Sequence, residues 1–218
     1  MLDFLQKLYD LGGPLLLGAV TTVEITVLSF IVAIVIGLLF ALLKLGAPKP
    51  VVWLINAYVE VFRNTPVLAQ VFIIYFGLAH TGIQVAAIPA AVIGLGLNGG
   101  AIMTEIFRAG LAAVHKGQRE AALSVGMTPW TSLRFIVLPQ TWRITLPPMG
   151  NYAIALLKDT AVVSAIAAPE IMFYARNLVT STFDTTFIYI LAALLYFALS
   201  FPLARMVNHF ERRQRAWQ

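Results

Sequence analysis

Five long apolar blocks separated by short polar connections dominate this 218-residue sequence. Each block can cross a hydrocarbon layer of ~30 Å as a helix, and a helix satisfies its own backbone hydrogen bonds there. Hydrophobic residues make up 60% of the chain and charged residues 11%, whereas roughly a quarter of the residues in soluble domains are charged. The sequence therefore predicts an all-α, polytopic membrane protein with one transmembrane domain over residues 1–218. The predicted spans are residues 15–43, 52–79, 87–114, 144–166 and 186–208.

The distribution of Lys and Arg predicts the orientation of these spans. Most of the cations lie in the 44–50 turn, the 115–143 segment and the C-terminal tail. The other connections carry only Lys7 and Arg176, beside several acidic residues. The positive-inside rule then places the N-terminus outside and the C-terminus in the cytoplasm, which agrees with an odd number of spans.

Two segments outside the spans are predicted to be short helices. The apolar face of residues 2–9 indicates an interfacial helix that ends at Gly12, Gly13 and Pro14. Residues 167–185 begin with Pro169 at a helix start and are too short to span. They predict a short helix parallel to the membrane on the outer face.

Catalytic and metal sites are not expected. Cysteine is absent, the three histidines are scattered without metal-ligand spacing, and no phosphate loop or nucleophile–base pair occurs. The formal net charge of +5 follows from the positive-inside distribution and not from a nucleic-acid partner. These features predict a protein that is not an enzyme and binds no metal or cofactor of its own.

The segment 115–143 is too charged to cross a bilayer, yet it has strong helix signals. Residues 117–125 favour a helix that Gly126 ends in a left-handed cap. Thr128 is placed to cap a second helix with Pro129 at its first position, and Pro139 is predicted to end that helix.

This segment contains, in order, Glu120-Ala121-Ala122, Gly126, Ile136 and Leu138-Pro139. Their order and spacing resemble the "EAA" loop of ABC importer permeases. Further blocks are similar to the polar amino-acid branch of that family, the histidine/glutamine permease type: "EVFRNTPVLAQVFIIYFGL" (60–78), "EIFRAGLAAVHKGQREAA" (105–122), "LPQTWRITLPPMGNYAIALLKDTAVVSAI" (138–166) and "NHFERR" (208–213). The resemblance implies a type I ABC importer permease fold. It also implies that the loop couples the membrane domain to an ATPase through Glu120, Ala121, Ala122, Gly126, Met127, Leu138 and Pro139.

The same resemblance implies a function and a set of partners. The chain would be the permease subunit of an ATP-driven importer for polar amino acids in the bacterial inner membrane, converting ATP hydrolysis into alternating access. ATP and Mg would be bound by a dimer of separate ATPase subunits. A second permease subunit, identical or related, and a periplasmic or lipid-anchored amino-acid binding protein would complete the complex within the membrane lipid.

Polar side chains inside the predicted spans are candidates for a substrate pathway, because ionisable groups are costly in hydrocarbon. Asp159, Thr160 and Ser164 are predicted to form one polar strip that faces the bundle interior. Arg63, Asn98 and Glu105 complete a predicted chamber, in which Arg63 meets a carboxylate and Asp159 an ammonium group.

Structural roles compete with the pathway at each of these positions. Glu60 with Arg63, and Glu105 with Arg108, have the three-residue spacing of helical ion pairs. Asp159 is equally placed to pair with another span for assembly, and Asn98 to support a close helix contact. Pro66 is predicted to kink the second span and free backbone carbonyls.

Two other classes of protein are consistent with parts of the pattern. A stand-alone ion-coupled secondary transporter would use Asp159 or Glu105 as its ion site. An intramembrane enzyme would need a catalytic constellation that the sequence lacks. The absence of an inverted repeat and the presence of the EAA-like loop favour the importer permease.

Overall fold

The structure, a computed structural model, describes the backbone of residues 2–215 and the side chains of residues 11–212. All regular secondary structure in that part of the chain is helical. The helices are α1 (Leu2–Gly46), α2 (Lys49–Asn64), α3 (Val67–His80), α4 (Ala87–Ala113), α5 (Lys116–Ser124), α6 (Pro129–Ser132), α7 (Leu138–Asp159), α8 (Ile171–Thr182) and α9 (Thr185–Arg215). A π-helical turn, Ile73–Gly77, lies within α3, another, Leu133–Val137, joins α6 to α7, and a 3-10 helix, Thr160–Ile166, follows α7.

Three of the described helices are long and apolar enough to cross a membrane: Leu11–Gly46 of α1, α4, and Thr185–Arg212 of α9. The bent pair α2–α3 makes a fourth candidate. The remaining long helix, α7, has 22 residues, or ~33 Å at 1.5 Å per residue. It contains polar groups such as Arg143 and Asn151, and it is not among these candidates.

Helices α1 and α4 pack closely through small residues. A Cβ added to Gly96 would lie 2.7 Å from Val32 Cγ1, and one added to Gly100 would lie 2.7 Å from Ile36 Cγ2. These distances are shorter than real carbon–carbon contacts, so only glycine allows the two backbones to approach this far. The α1–α4 pair forms the centre of the bundle.

The second apolar block is broken between α2 and α3. The two helices diverge by 108° at Thr65 and Pro66, where the proline lacks the amide that would continue the helix. Gln70 Nε2 donates to the carbonyls of Phe62 at 2.9 Å and Thr65 at 3.0 Å, and Asn98 Nδ2 of α4 also donates to Phe62 O at 2.8 Å. The predicted kink at Pro66 and the freed carbonyls are confirmed, and the bend is sharp enough to make two helices.

Helix α8 confirms the predicted short helix within 167–185. Its first turn is capped by Glu170, whose carboxylate accepts hydrogen bonds from the amides of Met172 at 2.9 Å and Phe173 at 2.8 Å. The start of α8 lies against α1, where Thr22 Oγ1 accepts from the Ile171 amide at 3.4 Å. Its orientation relative to a membrane stays a prediction.

The predicted N-terminal helix does not end at Gly12, Gly13 and Pro14, because α1 runs through all three. Leu11 and Leu15 flank Pro14 and are buried in a cluster with Ile171 and Ile188. This packing offsets the local cost of a proline in a helix. The predicted apolar face of residues 2–9 lies outside the described side chains.

Replacing Gln70 with Ala should destabilise the fold, because Phe62 O loses one of two donors and the Thr65 carbonyl loses its side-chain donor. Losing these two part-buried hydrogen bonds should cost about 1–3 kcal/mol in total, so the thermal midpoint of the purified protein in detergent should fall measurably. Gln140→Ala is the matched control, because that amide donates to the Ile136 carbonyl within one continuous helix. An equal fall of the thermal midpoint in both variants would contradict a special role for Gln70 at the break.

Candidate functional site

The short helix α5 ends in the left-handed turn that the sequence predicts. Gly126 has a φ of +83°, where an added Cβ would be strained. The Met127 amide donates to the Ala122 carbonyl at 3.1 Å and the Gly126 amide to the Leu123 carbonyl at 3.0 Å. These two bonds form a Schellman motif, which ends α5 and turns the chain sharply.

The second predicted helix starts as expected and ends differently. Thr128 Oγ1 accepts from the Thr131 amide at 3.2 Å, and Pro129 is the first helical residue of α6. The prediction that Pro139 ends the helix is wrong, because the chain continues through the π-helical turn Leu133–Val137 into α7. The wider turn changes the hydrogen-bond register just before Pro139, which then occupies the first turn of α7, where its missing amide costs little.

The surface of α5 and α6 exposes large apolar side chains. Leu123 is 50% exposed, Val125 78% and Trp130 64%. Glu120 and Ala121 are exposed beside them, whereas Ala122 is buried. An apolar patch on a polar segment is typical of a binding surface for another protein. We call residues Lys116–Ser132 the coupling segment, after the role that the sequence resemblance implies for it.

The coupling segment is anchored in the bundle core. Helix α5 packs on the π-helical turn Leu133–Val137, and Val137 is 1% exposed. Val137 shares a buried cluster with residues of α1, α4 and α7, against which Leu133 and Leu138 also pack; its other buried members are Ala33, Ala41, Met103, Phe107, Leu111, Val114 and Met149. Pro139 is exposed at the start of α7. A displacement of α5 would therefore press directly on the core.

Glu105 bridges two helices. Its carboxylate accepts from Lys44 Nζ of α1 at 3.2 Å and from Arg108 at 2.7 Å, one turn along α4. The pair with Arg108 matches the predicted spacing. Lys44 was not predicted as a partner, because 61 residues separate it from Glu105 and no local pattern joins them.

Three of the predicted pathway residues lie around the junction of α2 and α4. Arg63 and Glu105 line one cavity of about 490 Å³, together with Thr145 and Pro148 of α7. Asn98, two turns before Glu105, donates to Phe62 O and to Gln70 Oε1 at 3.3 Å. Asn98 thus supports the break between α2 and α3.

The other three do not form one face. Asp159 is exposed, whereas Thr160 is fully buried and Ser164 is 7% exposed. Thr160 donates to the Leu157 carbonyl and Ser164 to the Ala161 carbonyl. The expectation of one strip is wrong because Thr160–Ile166 is a 3-10 helix, which rotates about 120° per residue and therefore turns Ser164 about 120° away from Thr160. The roles of these residues in transport stay predictions.

Sequence analysis missed a buried polar cluster around Glu170. This side chain is fully buried and accepts from Tyr196 Oη of α9 at 2.5 Å, and Arg176 donates to the Ser164 carbonyl nearby. Burial raises the pKa of Glu170, against the lowering effect of the bonds from Tyr196 and the two α8 amides. An acidic residue directly before a helix start is the N-cap signal that could have found it.

Comparison with known proteins decides which family has this arrangement. A family model described as binding-protein-dependent transport system inner membrane component matches residues 33–216. The chain belongs to that family. The permease therefore has the all-helical type I ABC importer fold. Family membership favours the function of a permease subunit in an ABC importer over that of a secondary transporter.

Curated relatives match the permease over nearly its whole length. It is 37% identical to the L-cystine transport system permease protein TcyB of Bacillus subtilis, over 92% of this chain and 86% of that protein. It is 33% identical to the glutamine transport system permease protein GlnP of Escherichia coli, over 93% of this chain and 94% of that one.

Solved structures agree in fold. An amino acid ABC transporter crystallised with histidines superposes with a TM-score of 0.90 at 34% identity, over 95% of this chain and 97% of that one. The MetNI methionine ABC transporter in an inward-facing conformation superposes with a TM-score of 0.73 at 20% identity, over 90% and 96%. The second similarity shows the fold alone.

The two ion pairs of Glu105 should differ in strength. Lys44 is 14% exposed and Arg108 is 51% exposed, and we expect the weaker solvent screening at Lys44 to outweigh the shorter contact of Arg108. Double-mutant cycles with Glu105→Gln should give a coupling energy on the order of 1–2 kcal/mol for Lys44→Met and below ~1 kcal/mol for Arg108→Met. The measurement is the free energy of unfolding in detergent. A larger coupling for Arg108 would show that contact geometry, and not burial, determines the strength.

Proposed function

We propose that this permease is the membrane subunit of an ATP-driven importer of polar amino acids in the bacterial inner membrane. Family membership and near full-length similarity to permeases of cystine and glutamine transport systems support this proposal. The permease itself would not be catalytic, and ATP and Mg would be bound by a separate ATPase dimer.

The proposed topology has five spans in one domain, residues 1–218. These are α1, the bent pair α2–α3, α4, α7 with the 3-10 helix after it, and α9. The N-terminus lies outside and the C-terminus in the cytoplasm, which the excess of Lys and Arg in the 44–50 turn, residues 115–143 and the tail supports.

The coupling segment would dock on the ATPase. The observation that carries this proposal is the exposed apolar surface of Leu123, Val125 and Trp130, which α5, its C-terminal turn and α6 present together. Ala121 allows close approach of a partner, Glu120 offers a carboxylate to a basic group, and the Gly126–Met127 turn fixes the direction of α5. Leu138 and Pro139 connect the segment to α7.

Closure of the ATPase dimer on ATP would then displace α5. The π-helical turn Leu133–Val137 would pass that displacement to the buried cluster that joins α1, α4 and α7, a packed element with two arrangements of the kind that switches use. A second permease subunit, identical or related, would complete the membrane part of the complex. An amino-acid binding protein, periplasmic or lipid-anchored, would deliver the solute near α8.

A polar pathway would cross the bundle beside α2 and α4. The cavity between Arg63 and Glu105 supports a place for a solute carboxylate at Arg63. Asp159 is accessible and would meet an ammonium group. Asn98, Thr160 and Ser164 would contribute to the same chamber after the helices move, since their present hydrogen bonds are to backbone carbonyls.

Gly126→Asp should abolish transport and detach the ATPase while the permease still folds. Any non-glycine residue at a φ of +83° is strained by on the order of 1 kcal/mol, and the side chain would disturb the docking turn. Transport and co-purification of the ATPase subunit are measured after reconstitution with its partners.

Gly82→Asp is the matched control, because Gly82 has a φ of +89° in the connection between α3 and α4, outside the coupling segment. It should show a similar local strain and retain ATPase binding. Wild-type transport by Gly126→Asp would refute the coupling role of this turn.

Asp159→Asn should depress transport at least tenfold and leave assembly with the ATPase unchanged, because it removes the charge and keeps the shape. Uptake of labelled amino acid into proteoliposomes is compared with co-purification of the ATPase. Glu24→Gln, which neutralises an exposed carboxylate on α1, is the control and should transport normally. Normal uptake by Asp159→Asn would place the chamber elsewhere.

A further inference from the structure

A second cavity, distinct from the one between Arg63 and Glu105, lies where α1 and α4 end and α2 and α5 begin. It is open to one side, has a volume of about 400 Å³, and has four cationic side chains in its wall: Lys44, Arg108, Lys116 and Arg119. The remaining wall is apolar and is formed by residues that include Leu45, Val52 and Leu111. We call it the basic cavity.

The charges of the basic cavity are not balanced within the described part of the chain that forms it. Glu105 bonds Lys44 and Arg108, and no carboxylate is among the residues that line the wall. One acidic group against four cations leaves an excess of three positive charges. Like charges held together around a cavity repel each other unless an anion joins them.

Arg119 gives a second, independent sign of a missing partner. Its Nε is buried and, among the described residues, has no hydrogen-bond partner. Buried polar atoms in folded proteins nearly always have one. A guanidinium presents its donors in a fork that matches the oxygens of a phosphate, so a phosphate oxygen would complete its hydrogen bonds.

The position of the cavity indicates where the phosphate comes from. Two of the candidate membrane-crossing helices, Leu11–Gly46 and Ala87–Ala113, end beside it, which places it at the level of lipid headgroups. Leu45 is 48% exposed and Trp53, on α2, is 68% exposed. Leu45 can contact lipid acyl chains, and the indole of Trp53 is of the kind that lies at the membrane interface. A soluble anion would gain nothing from these side chains.

We propose that the basic cavity binds the phosphate of an anionic phospholipid headgroup, with the acyl chains lying along the exposed apolar side chains of α1 and α2. Basic pockets between membrane helices commonly bind such headgroups. The leaflet follows from the proposed orientation and is the cytoplasmic one, but the binding itself does not depend on the transport function. Lipid bound here would brace the start of α5 against the end of α1.

Native mass spectrometry of the full-length permease tests the proposal. The protein is purified in a mild detergent and mixed with equal amounts of phosphatidylglycerol and phosphatidylcholine. We expect phosphatidylglycerol to be retained preferentially. Lys116→Gln and Arg119→Gln should each lower the ratio of the two bound lipids about fivefold, as expected for one basic residue near an anionic headgroup.

Matched controls separate a site from general surface attraction. Lys49→Gln removes an exposed cation at the same end of the bundle that does not line the cavity, and it should change the ratio less than twofold. Ala112→Phe fills the cavity without changing charge and should lower the ratio as the charge variants do. It also provides a test if either charge variant fails to fold.

Three outcomes would overturn the proposal. Equal retention of the two lipids would show no anion preference. An equal fall of the ratio of bound lipids in Lys49→Gln would show only a diffuse electrostatic attraction of the surface for anionic lipid. Displacement of phosphatidylglycerol by millimolar inorganic phosphate would assign the cavity to a soluble phosphate instead of a lipid.

Discussion

An unpaired backbone amide or carbonyl costs several kcal/mol in hydrocarbon, and this constraint explains the α2–α3 break and the start of α8 in the permease. At the α2–α3 break, two side-chain amides bond the carbonyl of Phe62. At the start of α8, the carboxylate of Glu170 bonds two helix amides. At both places a specific side chain bonds backbone groups where a helix breaks or begins.

The same constraint also explains which polar side chains bond the backbone in this arrangement of the helices instead of facing a pathway. From the sequence, Asn98 is a candidate for contact with a solute. In the structure its amide donates to Phe62 O and Gln70 Oε1. Thr160 and Ser164 likewise bond carbonyls of their own helical turn. Polar residues in membrane helices thus divide into those that maintain the backbone and those, such as Arg63 and Asp159, that remain accessible.

Sequence reasoning succeeded where the determining physics is local. Gly126, Thr128 and Pro129 each act within one turn of chain, so their caps could be predicted from residue type. It failed where the interaction joins residues far apart in the sequence, or where the outcome depends on the type of helix. Lys44 and Glu105 meet across 61 positions, Glu170 and Tyr196 meet across 26, and the strip from Asp159 to Ser164 assumed an α-helix where the chain adopts a 3-10 helix.

The glycine contact between α1 and α4 has a mechanical consequence. Side chains of one helix fill the space that a Cβ would take on the other, at Gly96 and Gly100, so neither helix can slide or rotate against its partner without a steric clash. The two helices must tilt as one rigid body. Any hinge that opens and closes the bundle therefore lies at the edges of this body, where the broken α2–α3 pair and the Thr160–Ile166 helix contact it.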